Sequence, residues 1–299
     1  MKVTKNHSLL LINLHNNSER LINALNNLRK CNLNEFVVRK EACTVKRAKK
    51  EYHKYINTIA YNNIHNLRNT LILPTWGAVA CAISHLECYK YIIDNNLEFG
   101  IICEDDFEIV NLNMFKMALS QGLDIIAKFR NSDSNLNRKI IITFGSKQID
   151  LQENINYQNY GYMNFPIVNN ETDNLENIIN PFIGTQFYIV NYNMAKKLYN
   201  NLKPLIYQID IQIGLFIKRL SYTYNYDVYF NFKNAGIIHS KKFKSNVQYY
   251  FIKQEDLEFL NLSGDVINHI LTFLPNNDNT QKAVQNSNIF NLMSSDTYY

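Results

Sequence analysis

Short apolar runs and helix-period stripes take turns along this chain. Leu9-Leu10-Leu11-Ile12 predicts a buried strand, and Leu21, Leu25 and Leu28 then recur at helical spacing behind Ser18, the expected N-cap. Phe36-Val37-Val38 predicts a second strand, whereas the polar, basic stretch from Val45 to Asn69 reads as loop or exposed helix. Pro74 and Thr75 introduce the most periodic segment, with Val79, Ile83, Leu86, Tyr89 and Ile93 on one face. A strand over Phe99-Gly100-Ile101-Ile102-Cys103 follows and stops at Glu104. Further strands are expected over Ile140 to Phe144, Phe182 to Val190, Tyr226 to Phe232 and Ala235 to Ile238, with His239 just past the last. Between them, Met194, Leu198 and Leu202 mark one helix, and Ile209, Ile213, Phe216 and Leu220 another that begins beside Asp210.

This β-α alternation predicts an α/β fold with a mainly parallel sheet and helices on both faces. Ligands of such sheets lie beyond the carboxyl ends of the strands. Asn13, Glu104 and His239 all fall at or near such ends, so they are expected to meet at one site. The long Asn- and Tyr-rich region from Asp150 to Asn180 reads as a functional loop or an insertion.

The densest chemistry is Glu104-Asp105-Asp106, three carboxylates directly after a buried strand. Like charges that close repel unless a cation or hydrogen bonds compensate. If the extended backbone continues through them, Glu104 and Asp106 share a face and Asp105 points the other way. An acidic turn is the plainer alternative, although no Gly, Asn or Ser interrupts the triplet.

Composition narrows the field of partners. With 31 Lys and Arg against 26 Asp and Glu, the net charge of +5 suits an anionic small molecule and is too small for a nucleic-acid footprint. Five cysteines without a C-x-x-C pair read as reduced thiols. No run reaches the length of a signal-peptide core or a transmembrane helix, so a soluble, intracellular protein is expected. Abundant Asn, Ile, Lys and Tyr fit an AT-rich source genome, a large DNA virus among the sources this allows.

Three blocks follow one another in a set order. Residues 12–21 fit I-N-L-x-x-x-x-E-R-L, Gly77 to Leu86 fits G-x-x-x-C-x-x-S-H and is followed by the acidic triplet, and Gly184-Thr185 through Leu198, then Asp210, is similar to G-T-x-x-Y-x-x-S-x-x-x-A-x-x-L with a downstream Asp. Ser245-Asn246-Val247-Gln248 adds a terminal S-x-x-Q. With these blocks the chain resembles the family-25 glycosyltransferases, which include lipooligosaccharide sugar transferases and collagen hydroxylysine galactosyltransferases. It departs from them at His15, where an Asp is usual, and at Asn191, which replaces the Ser of the third block.

The resemblance implies a GT-A type nucleotide-sugar fold over residues 1–252, whereas residues 253–299 depart from the family pattern and are expected to form a helical and partly disordered extension. In that extension Val266, Ile270 and Leu274 are expected on one face of a short amphipathic helix. It further implies a UDP-sugar donor, a divalent metal, most often manganese, and transfer of a hexose with inversion to a glycan or protein hydroxyl. On this reading Glu104, Asp106 and His239 hold the metal, and Asp210 is the base. Asn13, Arg20, Asp105, Lys241 and Lys242 contact the donor. A metal-dependent hydrolase and a non-catalytic sugar- or protein-binding relative are the competing readings.

Overall fold

The computed structural model describes residues 7–66, 72–130, 138–148, 175–178, 180–221, 227–240 and 242–243. The expected C-terminal extension, the Ser245 to Gln248 motif and Lys241 lie outside the described residues. In chain order the elements are β1 (His7–Asn13), α1 (Ser18–Lys30), β2 (Val37–Glu41), α2 (Val45–Glu51), α3 (Thr58–His65), α4 (Trp76–Asp94), β3 (Phe99–Glu104), β4 (Phe107–Ile109), α5 (Leu112–Arg130), β5 (Ile140–Phe144), β6 (Lys147–Gln148), β7 (Leu175–Asn177), β8 (Phe182–Ile183), β9 (Phe187–Asn191), α6 (Tyr192–Asn201), α7 (Ile209–Ser221), β10 (Val228–Phe232) and β11 (Ile237–His239).

Seven strands form one sheet in the order β2-β1-β3-β9-β5-β10-β7. Five of them point the same way, while β9 and β7 run antiparallel to their neighbours. The apolar runs are buried on both faces and sort by strict alternation. Leu9, Leu11, Ile101, Cys103, Ile140, Ile142, Phe187 and Ile189 face one core, which α1 and α5 cover. Leu10, Ile12, Ile102, Ile141, Tyr188 and Val190 face the other, covered by α4, α6 and α7. A period of two with both faces buried is why these strands read as continuous apolar runs.

Helix caps follow local chemistry. Thr75 caps α4 by accepting from Ala78 N at 3.1 Å, as its position before the periodic segment predicts. At α1 the cap is Asn17 and not Ser18, because the turn after β1 brings the Asn17 side chain onto Arg20 N. The basic stretch after Val45 folds into α2 and α3, each burying little more than an alanine face around Ala48 and Ala60.

The strand expected over Phe182 to Val190 is two strands. Gly184, at φ +107, turns the chain between them, a backbone region that side chains with a Cβ rarely adopt. β8 leaves the main sheet to pair with β6, and β9 continues between β3 and β5. A second small ribbon, β4 with β11, projects from the carboxyl end of β3. These two departures build the walls of the site. Among the described residues no helix is long and apolar enough to cross a membrane.

Candidate active site

A cleft opens at the carboxyl ends of β1 and β3, bounded by the start of α4, the Gly184 turn, the start of α7 and the end of β11. Asn13, Arg20, Cys81, Glu104, Asp105, Asp106, Thr185, Asp210 and His239 all line it. The strand-end residues Asn13, Glu104 and His239 therefore share one site, as the strand pattern predicts.

The expected division of the acidic triplet is not what the chain adopts. β3 ends at Glu104 and the backbone turns through Asp105 and Asp106, so strand alternation stops there. Both aspartates reach the same guanidinium: Arg20 Nη1 donates to Asp105 Oδ1 at 3.1 Å and to Asp106 Oδ2 at 3.3 Å. Glu104 goes elsewhere, its Oε1 accepting from Thr185 Oγ1 at 2.8 Å and lying 3.5 Å from His85 Nε2.

Asp105 is an anchor. Asn13 Nδ2 donates to its Oδ2 at 2.7 Å and also to Asn17 O, tying β1, the cap of α1 and the acidic turn together. Burial pushes the Asp105 carboxyl up, against the opposing pull of Asn13 and Arg20. Arg20 projects from the first turn of α1 into the interior, where it also lies 5.4 Å from the Phe243 ring centroid. Asn13 and Arg20, expected to touch the donor, spend these hydrogen bonds on Asp105 and Asp106.

Asp106 and His239 form the exposed-to-buried edge of the cluster. Register puts His239 opposite Phe107, the first residue of β4, and Ser240 N donates to Asp106 O at 2.6 Å. His239 Nε2 then lies 3.0 Å from Asp106 Oδ2, with 40% of the histidine side chain exposed and 9% of the aspartate. Burial opposes the charge on Asp106, yet the hydrogen bond from His239 and the charges of His239 and Arg20 hold its carboxyl below the ordinary range. The same hydrogen bond raises His239, against its partial burial. Asp106 Oδ1 is buried with no hydrogen-bond partner. An oxygen so placed is a ready ligand for a hard cation, and an imidazole beside it is a second, so the residues present fit a divalent metal here.

Glu104 does not complete that pair. Among the described residues, the one group of three His, Cys, Asp or Glu ligand atoms lying mutually within 4.8 Å is Cys81, His85 and Glu104. Burial first, then the nearby carboxylates, pushes the Cys81 thiol well above its ordinary value.

Asp210 opens α7 on the opposite wall. Its Oδ2 accepts from Gly184 N at 3.0 Å and its Oδ1 from Ile211 N at 2.8 Å. It therefore clamps the Gly184 turn to the helix while facing the cleft. Burial raises its carboxyl despite both backbone hydrogen bonds, and Glu104 adds to the rise. Lys242 is exposed beyond Ser240, with its N–H on Ser240 Oγ, and stands outside the cleft wall formed by the described residues.

Thr185, Cys81 and Tyr188 stand in the blocks that carry the family resemblance, yet the sequence does not show which groups their side chains meet; the i, i+4 spacing of Cys81 and His85 within a predicted helix is the one local signal.

The fold and the site together define a GT-A-like α/β protein with an acidic cluster at the strand ends. Residues 6–213 match the model of glycosyltransferase family 25 (LPS biosynthesis protein), and the chain belongs to that family and is a glycosyltransferase. No curated protein matches the chain. β11, which carries His239, lies beyond the matched span, so the place of His239 in the site rests on the geometry alone.

Proposed function

We propose that the cleft binds a UDP-sugar together with a divalent cation, manganese before others, and transfers a hexose, galactose or glucose, to a hydroxyl of a glycan or protein with inversion. The observation that carries this is the buried, unpartnered Asp106 Oδ1 beside His239 at the carboxyl end of β3. Glu104, Asp105, Asp106 and Asp210 line the cleft with only Arg20 and His239 as basic groups among the described residues, an excess of carboxylates that repels a bare diphosphate. When bound, the cation neutralises the diphosphate and supports its departure as a leaving group.

The chain's own residues set the geometry. Asp106 and His239 would hold the cation, and Arg20 and Asn13 fix the turn from which Asp106 projects. Asp210 takes the proton of the acceptor hydroxyl, through the lone pair each oxygen keeps besides its backbone hydrogen bond. Its raised carboxyl suits that task, since a base works best with a pKa near the working pH.

The experiment is a screen of nucleotide sugars for release of UDP with manganese present and acceptor absent. Slow hydrolysis confined to a UDP-hexose is expected. Turnover of a donor on another nucleotide, with every UDP-sugar inert, would overturn the reading.

A further inference from the structure

We propose that Cys81, His85 and Glu104 form a zinc site on the wall of the cleft, separate from the cation pair at Asp106 and His239. Cys81 and His85 sit one helical turn apart on α4, and Glu104 closes the group from the end of β3. Their ligand atoms lie mutually within 4.8 Å.

The second observation is the state of His85. Its side chain is fully buried, and Nδ1 lies 2.8 Å from Tyr188 Oη. Tyr188 Oη also lies 3.0 Å from Tyr89 Oη, and with its own proton given there it accepts from His85 Nδ1–H. That leaves the lone pair on Nε2, which is buried and has no hydrogen-bond partner. A bare lone pair 3.5 Å from a carboxylate oxygen is repulsive unless a positive charge lies between them. A metal-bound histidine has the same arrangement, with the far ring nitrogen donating to an oriented acceptor.

The donor set selects the metal. Thiolate, imidazole and carboxylate in a group of three suit zinc, with a fourth position left open. Cys81 and Glu104 line the cleft, so that position faces it. The carboxylate and imidazole at Asp106 and His239, with no thiolate, suit a harder ion. Zinc bound here engages Glu104 and narrows the cleft, and is expected to inhibit transfer.

Cobalt(II) is the probe, titrated into the purified full chain in the absence of nucleotide. A thiolate-to-cobalt charge-transfer band is expected, discharged by zinc, abolished in Cys81→Ser and His85→Gln, and retained in Cys31→Ser and Asp106→Asn. Tyr188→Phe should weaken zinc binding by about 10–100-fold. Absence of the band in the native protein, or its survival in Cys81→Ser, would overturn the proposal. A measurement without variants guards against misfolding. Stoichiometric zinc should slow alkylation of Cys81 by iodoacetamide, read by peptide mass spectrometry against Cys31, and equal rates at Cys81 with and without zinc would refute the site. The reading of the donor site fails separately, through loss of metal-dependent UDP binding with the cobalt band intact.

Discussion

His239 Nε2 lies 3.0 Å from Asp106 Oδ2, joining the last strand of the ribbon to the turn that ends β3. The contact has a pH signature in metal-free buffer. His239 is raised above its ordinary 6.5, so its contribution is complete below that value and is lost as pH rises through the folded value. Asp106 is lowered below its ordinary 3.8, so its contribution is complete above that value and is lost as pH falls through the folded one. The pair therefore stabilises most between pH 3.8 and 6.5. Thermal melts should show His239→Gln less stable than the native protein in mildly acidic buffer and nearly equal to it in alkaline buffer. A difference that does not change with pH would exclude the ion pair.

Arg20 is the compensating charge for two buried aspartates, with its own side chain 7% exposed. Removing one partner of a buried ionic group leaves the other charge uncompensated, a loss of about 3–5 kcal/mol. Urea denaturation of Arg20→Ala should show a loss of that order. A change under about 1 kcal/mol, typical of a surface pair, would mean that the triplet is already neutralised by other means.

Asp210→Asn should lower transfer by about 10²–10⁴-fold while UDP binding persists. Because a base acts only when ionised and burial raises this carboxyl, the acid limb of kcat/KM is expected above the ordinary aspartate value of 3.8. Undiminished transfer by the variant would remove Asp210 from the mechanism and leave it only its role as a clamp on Gly184.

Gly214 lets α7 approach the backbone before β8, since a Cβ there would come within 2.5 Å of Pro181 Cα. Gly214→Ala forces main chain apart and should cost about 1–3 kcal/mol of stability. It would also displace the wall that carries Asp210, so kcat should fall along with the melting temperature. An unshifted melt would show that the helix moves freely against Pro181.

The sequence makes the sheet legible because both of its faces are buried: runs such as Leu9 to Ile12 and Ile140 to Phe144 have few other ways to hide their side chains. It also makes the site's location legible, because strand ends are where such folds bind ligands, and Asn13, Glu104, Asp106 and His239 indeed line one cleft. The partner of each carboxylate is not legible. Whether β3 continues through Asp105 or turns depends on Arg20 arriving from α1 and on Asn13 from β1, contacts between residues far apart in the chain. The direction of Glu104 depends likewise on how α4 lies over the sheet, which presents His85 and Cys81 to it. The split of Phe182 to Val190 has a local cause in Gly184, at positive φ, while the partner of its N–H, Asp210, arrives from a helix far along the chain.

The most direct test of a metal-held donor at Asp106 is calorimetric titration of UDP into the full chain, with manganese and then with chelator. Binding should be clear with manganese, lost with chelator, and lost in Asp106→Asn under both conditions. UDP that binds the native protein equally well with and without metal would contradict the account.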